Sequence, residues 1–201
     1  MKINKKLVLP AIIAVAIYLL SYQIPKIVIS PARLHFLHTP IDDMIPFISE
    51  SIYIYIGAFF QWGYCIYVVL KQKTNIGYKL YSAIIFGSLI GFIIYMVYPT
   101  AVNRPEIIEE GFTNDFCRFI YSVDNIICAM PSFHCFCSTI VVLIYRQCEN
   151  IDNRTIYINI IYSILVIIST LLTKQHYVLD LLPGVLLAHL AMYIADKHSL
   201  F

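Results

Sequence analysis

Three short polar runs in an otherwise oily chain carry the residue types for phosphoryl transfer. They are YPTAVNRPE with Arg104, PSFH with Ser132 and His134, and TKQHYVLD with Lys174, His176 and Asp180. Residues four apart share a helix face. The Asp180 carboxylate can therefore hold one ring nitrogen of His176 and leave the other free as a nucleophile. His134 can serve as proton donor to the leaving oxygen. Ser132 is a good N-cap, and the helix it opens turns free N–H groups and a positive dipole end toward an anion. Arg104 and Lys174 add fixed positive charge, completing a cradle for a phosphate and its five-coordinate transition state. The set calls for no metal or other cofactor. There is no C-x-x-C pair, and Cys135 and Cys137 point to different helix faces.

These groups meet only if the elements carrying them end at one surface. The chain has 201 residues, 60% hydrophobic and 13% charged, which is too apolar for a soluble domain. An all-α, integral membrane six-helix bundle is expected, since a span takes about 20 apolar residues. Six stretches qualify, near 7–24, 47–70, 79–99, 131–147, 155–173 and 177–195. The first, after Lys2, Lys5 and Lys6, could be a signal peptide. No small-residue cleavage pattern follows, so it counts as a span. Without internal repeats or long linkers, residues 1–201 read as a single membrane domain.

Six spans place both termini on one side, together with nine of the fourteen basic residues, among them Lys71, Lys73, Lys79, Arg146, Arg154 and Lys197. By the positive-inside rule the termini are cytoplasmic in a cell membrane. All three polar runs then lie at the extracytoplasmic face, beside loops 25–46 and 100–130. The net charge of +2 reflects topology and gives no sign of nucleic-acid binding.

Each group also has a plain structural explanation. Arg104 and Lys174 could snorkel to the interface, and His134 alone reads more readily as an interfacial histidine. Asp180 is harder to dismiss, because an acid inside a span is costly. Five such groups at one depth favour a site. Tyr53, Tyr55, Tyr64 and Tyr67 read as packing and interface anchors. Asp42 and Asp43 could hold a polar headgroup or cap the approach of the second span, with capping favoured. His35, His38, His189 and His198 have no spacing that ties them to the site. Cys117 and Cys128 could form a disulfide, though nothing in their spacing requires one. A transporter is the rival class, but the internal repeats and interrupted midplane helices common in transporters are absent from the sequence.

The R-P, P-S-x-H and H-x-x-x-D runs between Tyr98 and Gly184 resemble the three motifs of the type 2 phosphatidic acid phosphatase superfamily, which shares its fold with vanadium haloperoxidases. TPIDDMIPF and the Y-P-T…R-P form look closer to the inositolphosphotransferase-like and sphingolipid-synthase-like branch. The resemblance implies His176 as the nucleophile forming a phosphohistidine, Asp180 as its orienting acid and His134 as acid and base. It implies Arg104, Ser132 and Lys174 as phosphate ligands. The chain departs from the family pattern in three places. Val97 stands where the first motif usually has lysine, Thr170 where the third has arginine, and Phe133 where the second has glycine. The implied activity is lipid phosphate hydrolysis or transfer of the phosphoryl-bearing group to an alcohol. Both the lipid and the oligomeric state stay open.

Overall fold

The computed structural model describes residues 2–201 and is mainly helical. Its helices are α1 (Val8–Val28), α2 (Pro40–Met44), α3 (Ile52–Val69), α4 (Thr74–Val97), α5 (Phe112–Val123), α6 (Phe133–Tyr145), α7 (Asn153–Leu172) and α8 (Val178–Lys197). Five of these, α1, α3, α4, α7 and α8, are long and apolar enough to cross a membrane. The protein is a multi-pass membrane protein. The expected fourth span departs from the others, because α6 has only 13 residues and rises roughly 20 Å at 1.5 Å per residue. It packs against α3, α4, α7 and α8, and most of its residues are buried, including Phe133, Phe136, Ile140 and Ile144. A helix enclosed by other helices has no need to match the bilayer thickness.

Burial of oil against oil gains little inside a bilayer, so close approach of small residues must hold the helices together. Ala83, Gly87 and Gly91 repeat every fourth residue along α4 and are all buried. Two rings of α6 fill that stripe. A Cβ on Gly87 would lie 2.2 Å from the Phe136 ring, and one on Gly91 would lie 2.6 Å from the Phe133 ring. Phe133 therefore takes the place of the family glycine as an aromatic wedge. It also stacks on Tyr18 and Tyr22 of α1 at centroid distances of 5.5 and 6.0 Å. On the other side of α6, a Cβ on Gly184 of α8 would come within 2.3 Å of the Ser132 carbonyl oxygen. Glycine there lets the starts of α6 and α8 nearly touch.

The loops at the Arg104 end are structured. Two-residue strands β1 (His35–Phe36) and β2 (Thr100–Ala101) pair in parallel and tie the first long loop to the second. The segment 100–130 reads as a loop in sequence, yet it contains the amphipathic helix α5, which seats Cys117 and Ile120 against Ile52 and Tyr55. Asp42 accepts from the Thr39 N–H and hydroxyl at 2.8 and 2.7 Å, capping α2. Its other oxygen accepts from the Val178 N–H of α8 at 2.9 Å. Asp42 thus caps the short α2 and not the second span, and the same side chain joins α2 to α8, while Asp43 pairs with His38. Cys117 and Cys128 are free thiols.

Candidate active site

α6 and the turn before α8 bring the two histidines together. Ser132 lies at the junction and is fully buried. Its Oγ accepts from the Cys135 N–H at 3.4 Å, and its own N–H donates to the Asp180 carbonyl at 3.0 Å. The His134 and His176 rings then lie edge to face with centroids 6.1 Å apart. Asp180 is fully buried in the first turn of α8. Its Oδ2 accepts from the Tyr177 N–H at 2.7 Å and stands 3.4 Å from Nδ1 of His176. That contact is within ion-pair range but is not aligned as a hydrogen bond. In unliganded sites, contacts of this kind often tighten only when a ligand binds.

Arg104 reaches the same place from the segment after β2. Nη1 donates to the carbonyls of Tyr121 and Asp124 at 3.1 and 2.7 Å, and Nη2 donates to the Asn125 carbonyl at 3.3 Å and to Oε1 of Gln175. Nε is its one donor left without a partner among the described residues. Lys174 sits in a left-handed turn with φ 51°, and its ammonium donates to the carbonyls of Asp42 (2.9 Å) and Ile45. One of its three donors remains. The structure thus groups His134, His176 and Asp180 tightly, sets Arg104 and Lys174 beside them, and engages Ser132 in joining α6 to α8. The two positions where the family pattern has a further cation supply none. Val97 is 73% exposed, and Thr170 is fully buried with its hydroxyl donating to the Ile167 carbonyl at 2.7 Å.

Among the described residues, five of the nine buried side-chain polar atoms that lack a partner belong to this group: Nε of Arg104, Nε2 of His134, Nε2 of Gln175, Nδ1 of His176 and Oδ1 of Asp180. Native proteins leave few such atoms, and each calls for a reason. Nε of Arg104 and Nε2 of Gln175 are donors and the imidazole nitrogens donate when protonated, which suits an anion that brings its own oxygens, whereas Oδ1 of Asp180 only accepts.

His176 lies between two cavities. One, of about 430 Å³, opens among the loops and is lined by His38, Asp42, Asp43, Arg104, Lys174 and Tyr177. The other, of about 210 Å³, lies among α1, α3 and α5 and is lined by Tyr18, Tyr22, Tyr55, Phe59, Asp124 and His134. His176 faces both.

The second cavity contains residues that no sequence motif marks. Tyr55 stacks on the His134 ring with centroids 4.0 Å apart, so it walls the site where the sequence suggests only packing. Its hydroxyl donates to Oδ2 of Asp124 at 3.1 Å, while Lys26 and Tyr22 donate to Oδ1 at 2.7 and 3.3 Å. Burial would raise the Asp124 carboxyl, but the adjacent Lys26 ammonium outweighs it and holds the group below the ordinary aspartate value. His38 is likewise untied to the site by spacing, yet it pairs with Asp43 at 2.9 Å on the rim of the polar cavity. Spacing cannot reveal the roles of Tyr55 and Asp124, because their partners are far away in sequence.

A family model described as the PAP2 superfamily matches residues 28–194. The chain belongs to that superfamily, and the match contains all three polar runs. No curated protein and no solved structure matches the chain.

Proposed function

We propose that the protein is a lipid phosphate phosphatase that works through a phosphohistidine. The observation that carries this reading is the cluster of unpartnered buried polar atoms around His134 and His176. A nitrogen of His176 attacks phosphorus and forms a P–N bond. The ester P–O bond breaks, and the leaving oxygen takes a proton from His134. Water then gives a proton to His134 as its oxygen attacks phosphorus and the P–N bond breaks, which restores both histidines. Asp180 orients His176, and Arg104 and Lys174 supply positive charge to the phosphoryl oxygens. Ser132 supports the phosphate site through the start of α6. The site faces the extracytoplasmic side, and the termini are cytoplasmic.

Transfer to an alcohol, as in the inositolphosphotransferase-like and sphingolipid-synthase-like branch, is the second reading. Its support is the placement of His134 on the apolar cavity, where a lipid-borne alcohol competes well with water. The test is incubation of the purified protein in detergent with labelled lipid phosphates and phosphodiesters, with and without a long-chain alcohol. Release of inorganic phosphate supports the phosphatase, and a new lipid ester supports the transferase. Base-stable, acid-labile label on the protein should disappear in His176→Ala. Label that persists in that variant rules out His176 as nucleophile.

Sidedness has a separate test in intact cells. A cysteine at Asn103 should react with an impermeant thiol reagent, and one at Asn75 only after the cells are opened; both positions are exposed. Burial pushes the Cys117 and Cys128 thiols up to about 11 and about 12, so their background should be low. The reverse labelling pattern would place the site on the cytoplasmic side.

A further inference from the structure

Asp124 is the acidic residue in a cavity otherwise walled mostly by aromatic and aliphatic side chains. Its two oxygens offer about four acceptor sites, and Lys26, Tyr22 and Tyr55 occupy three. The side chain is still 22% exposed, whereas that of Lys26 is 7% exposed. A carboxylate with a spare acceptor site therefore faces the space that His134 also faces. The cavity continues away from the histidines as well. Tyr18, Leu19 and Phe59 line both it and a second apolar cavity of about 240 Å³, which runs past Trp62, Cys65 and Ile66. α1 packs on α4, while α3 packs on α6 and α7, and the two cavities occupy the cleft between α1 and α3.

We propose that this cleft is the alcohol subsite of the reaction, and that Asp124 selects alcohols carrying a second hydrogen-bond donor near the reacting oxygen. The proposal deepens the phosphoryl-transfer reading and rests on it. The reacting oxygen lies at His134, the second hydroxyl or an ammonium meets the free acceptor site of Asp124, and an alkyl chain follows the apolar walls past Trp62. The same alcohol chemistry arises from two sources, the leaving alcohol of a substrate and an incoming acceptor. His134 handles the proton in both, so both occupy the same place. A plain long-chain alcohol fills the walls but leaves Asp124 facing apolar surface, a poor environment for a charged group.

Trp62 is the one tryptophan of the chain, so binding can be read without turnover. Three probes of matched chain length with bromine at mid-chain are titrated against Trp62 fluorescence: a 1,2-diol, its 2-O-methyl ether and the plain alcohol. The diol should bind about tenfold or more tightly than the other two, as befits a hydrogen bond to a charged acceptor. In Asp124→Asn, and in the charge-neutral pair Lys26→Met with Asp124→Asn, the ratio should fall toward one. Equal binding of the three probes by the unaltered protein overturns the proposal even if neither variant folds, and so does a diol preference that survives in either variant. Turnover separates the sources: hydrolysis of the monophosphates of the three alcohols reports the leaving group, and transfer to the free alcohols reports the acceptor. Absence of all turnover together with a clear binding preference counts against the phosphoryl-transfer reading and against the cleft as the reaction's alcohol subsite, while supporting the selection of a second donor by Asp124.

Discussion

The two cavities that meet at His176 are built in opposite ways. The loop-side cavity is polar, and three of its charged groups are held chiefly by backbone: Lys174 by the Asp42 and Ile45 carbonyls, Asp42 by the Thr39 and Val178 N–H groups, and Arg104 mainly by carbonyls at the end of α5. The helix-side cavity is walled by rings, and its one carboxylate is neutralised by Lys26 and two tyrosines. A loop that must hold a cation in place needs many main-chain bonds, whereas helices facing lipid can present only side chains. On the proposed function, the difference would divide the labour at a phosphate ester. The polar side suits the anion, and the ring-lined side suits the alcohol.

The contact between the cavities should be the most sensitive point. His176→Ala should lower turnover by several orders of magnitude, and Asp180→Asn by about 10²–10⁴-fold, the range for an acid that orients a catalytic histidine. Near-normal turnover in His176→Ala, measured on the best lipid phosphate, would end the division described above. On the polar side, Arg104→Ala should reduce kcat/KM by about 10²-fold, as for loss of one donor to developing negative charge. It should also raise the vanadate concentration needed for inhibition. An unchanged vanadate response would remove Arg104 from the anion site.

The helix side should respond to chain length. Leu19 is 50% exposed and lines both apolar cavities, so Leu19→Trp narrows the cleft without disturbing the core. Long-chain substrates should lose roughly tenfold more in kcat/KM than short-chain ones, the value of about two buried methylenes. Equal losses for both would show that the chain lies elsewhere.

The smallest effect concerns the loop scaffold. Asp42 is held below the ordinary aspartate value: burial would raise it, but its hydrogen bonds to Thr39 and Val178 outweigh burial. A carboxylate with a depressed folded pKa contributes stability above its unfolded pKa and loses that contribution as the pH falls through the folded value. Thermal stability in detergent should therefore hold from pH 8 to about 5 and decline below about 4. Asp42→Ala should cost about 1–2 kcal/mol at neutral pH, as for loss of a helix cap, and should flatten the acid decline. A decline of the same depth in the variant would assign it to other carboxylates.

By itself the sequence determined the class, most of the spans and the candidate reacting residues. Apolar runs of membrane length are a local property, and so is the four-residue spacing of His176 and Asp180. The Ala83, Gly87 and Gly91 stripe is equally local, although the rings that fill it belong to another helix. Tertiary structure decided what depends on distant partners. It enclosed α6 among other helices, where a short helix suffices, and set Lys26 of α1 against Asp124 more than ninety residues away. It turned Tyr55 from an apparent interface anchor into a wall against His134, and folded α5 within an apparent loop through contacts with Ile52 and Tyr55. Periodicity and spacing report interactions along one helix. The pairing of a buried charge reports which helices became neighbours, and packing alone settles that.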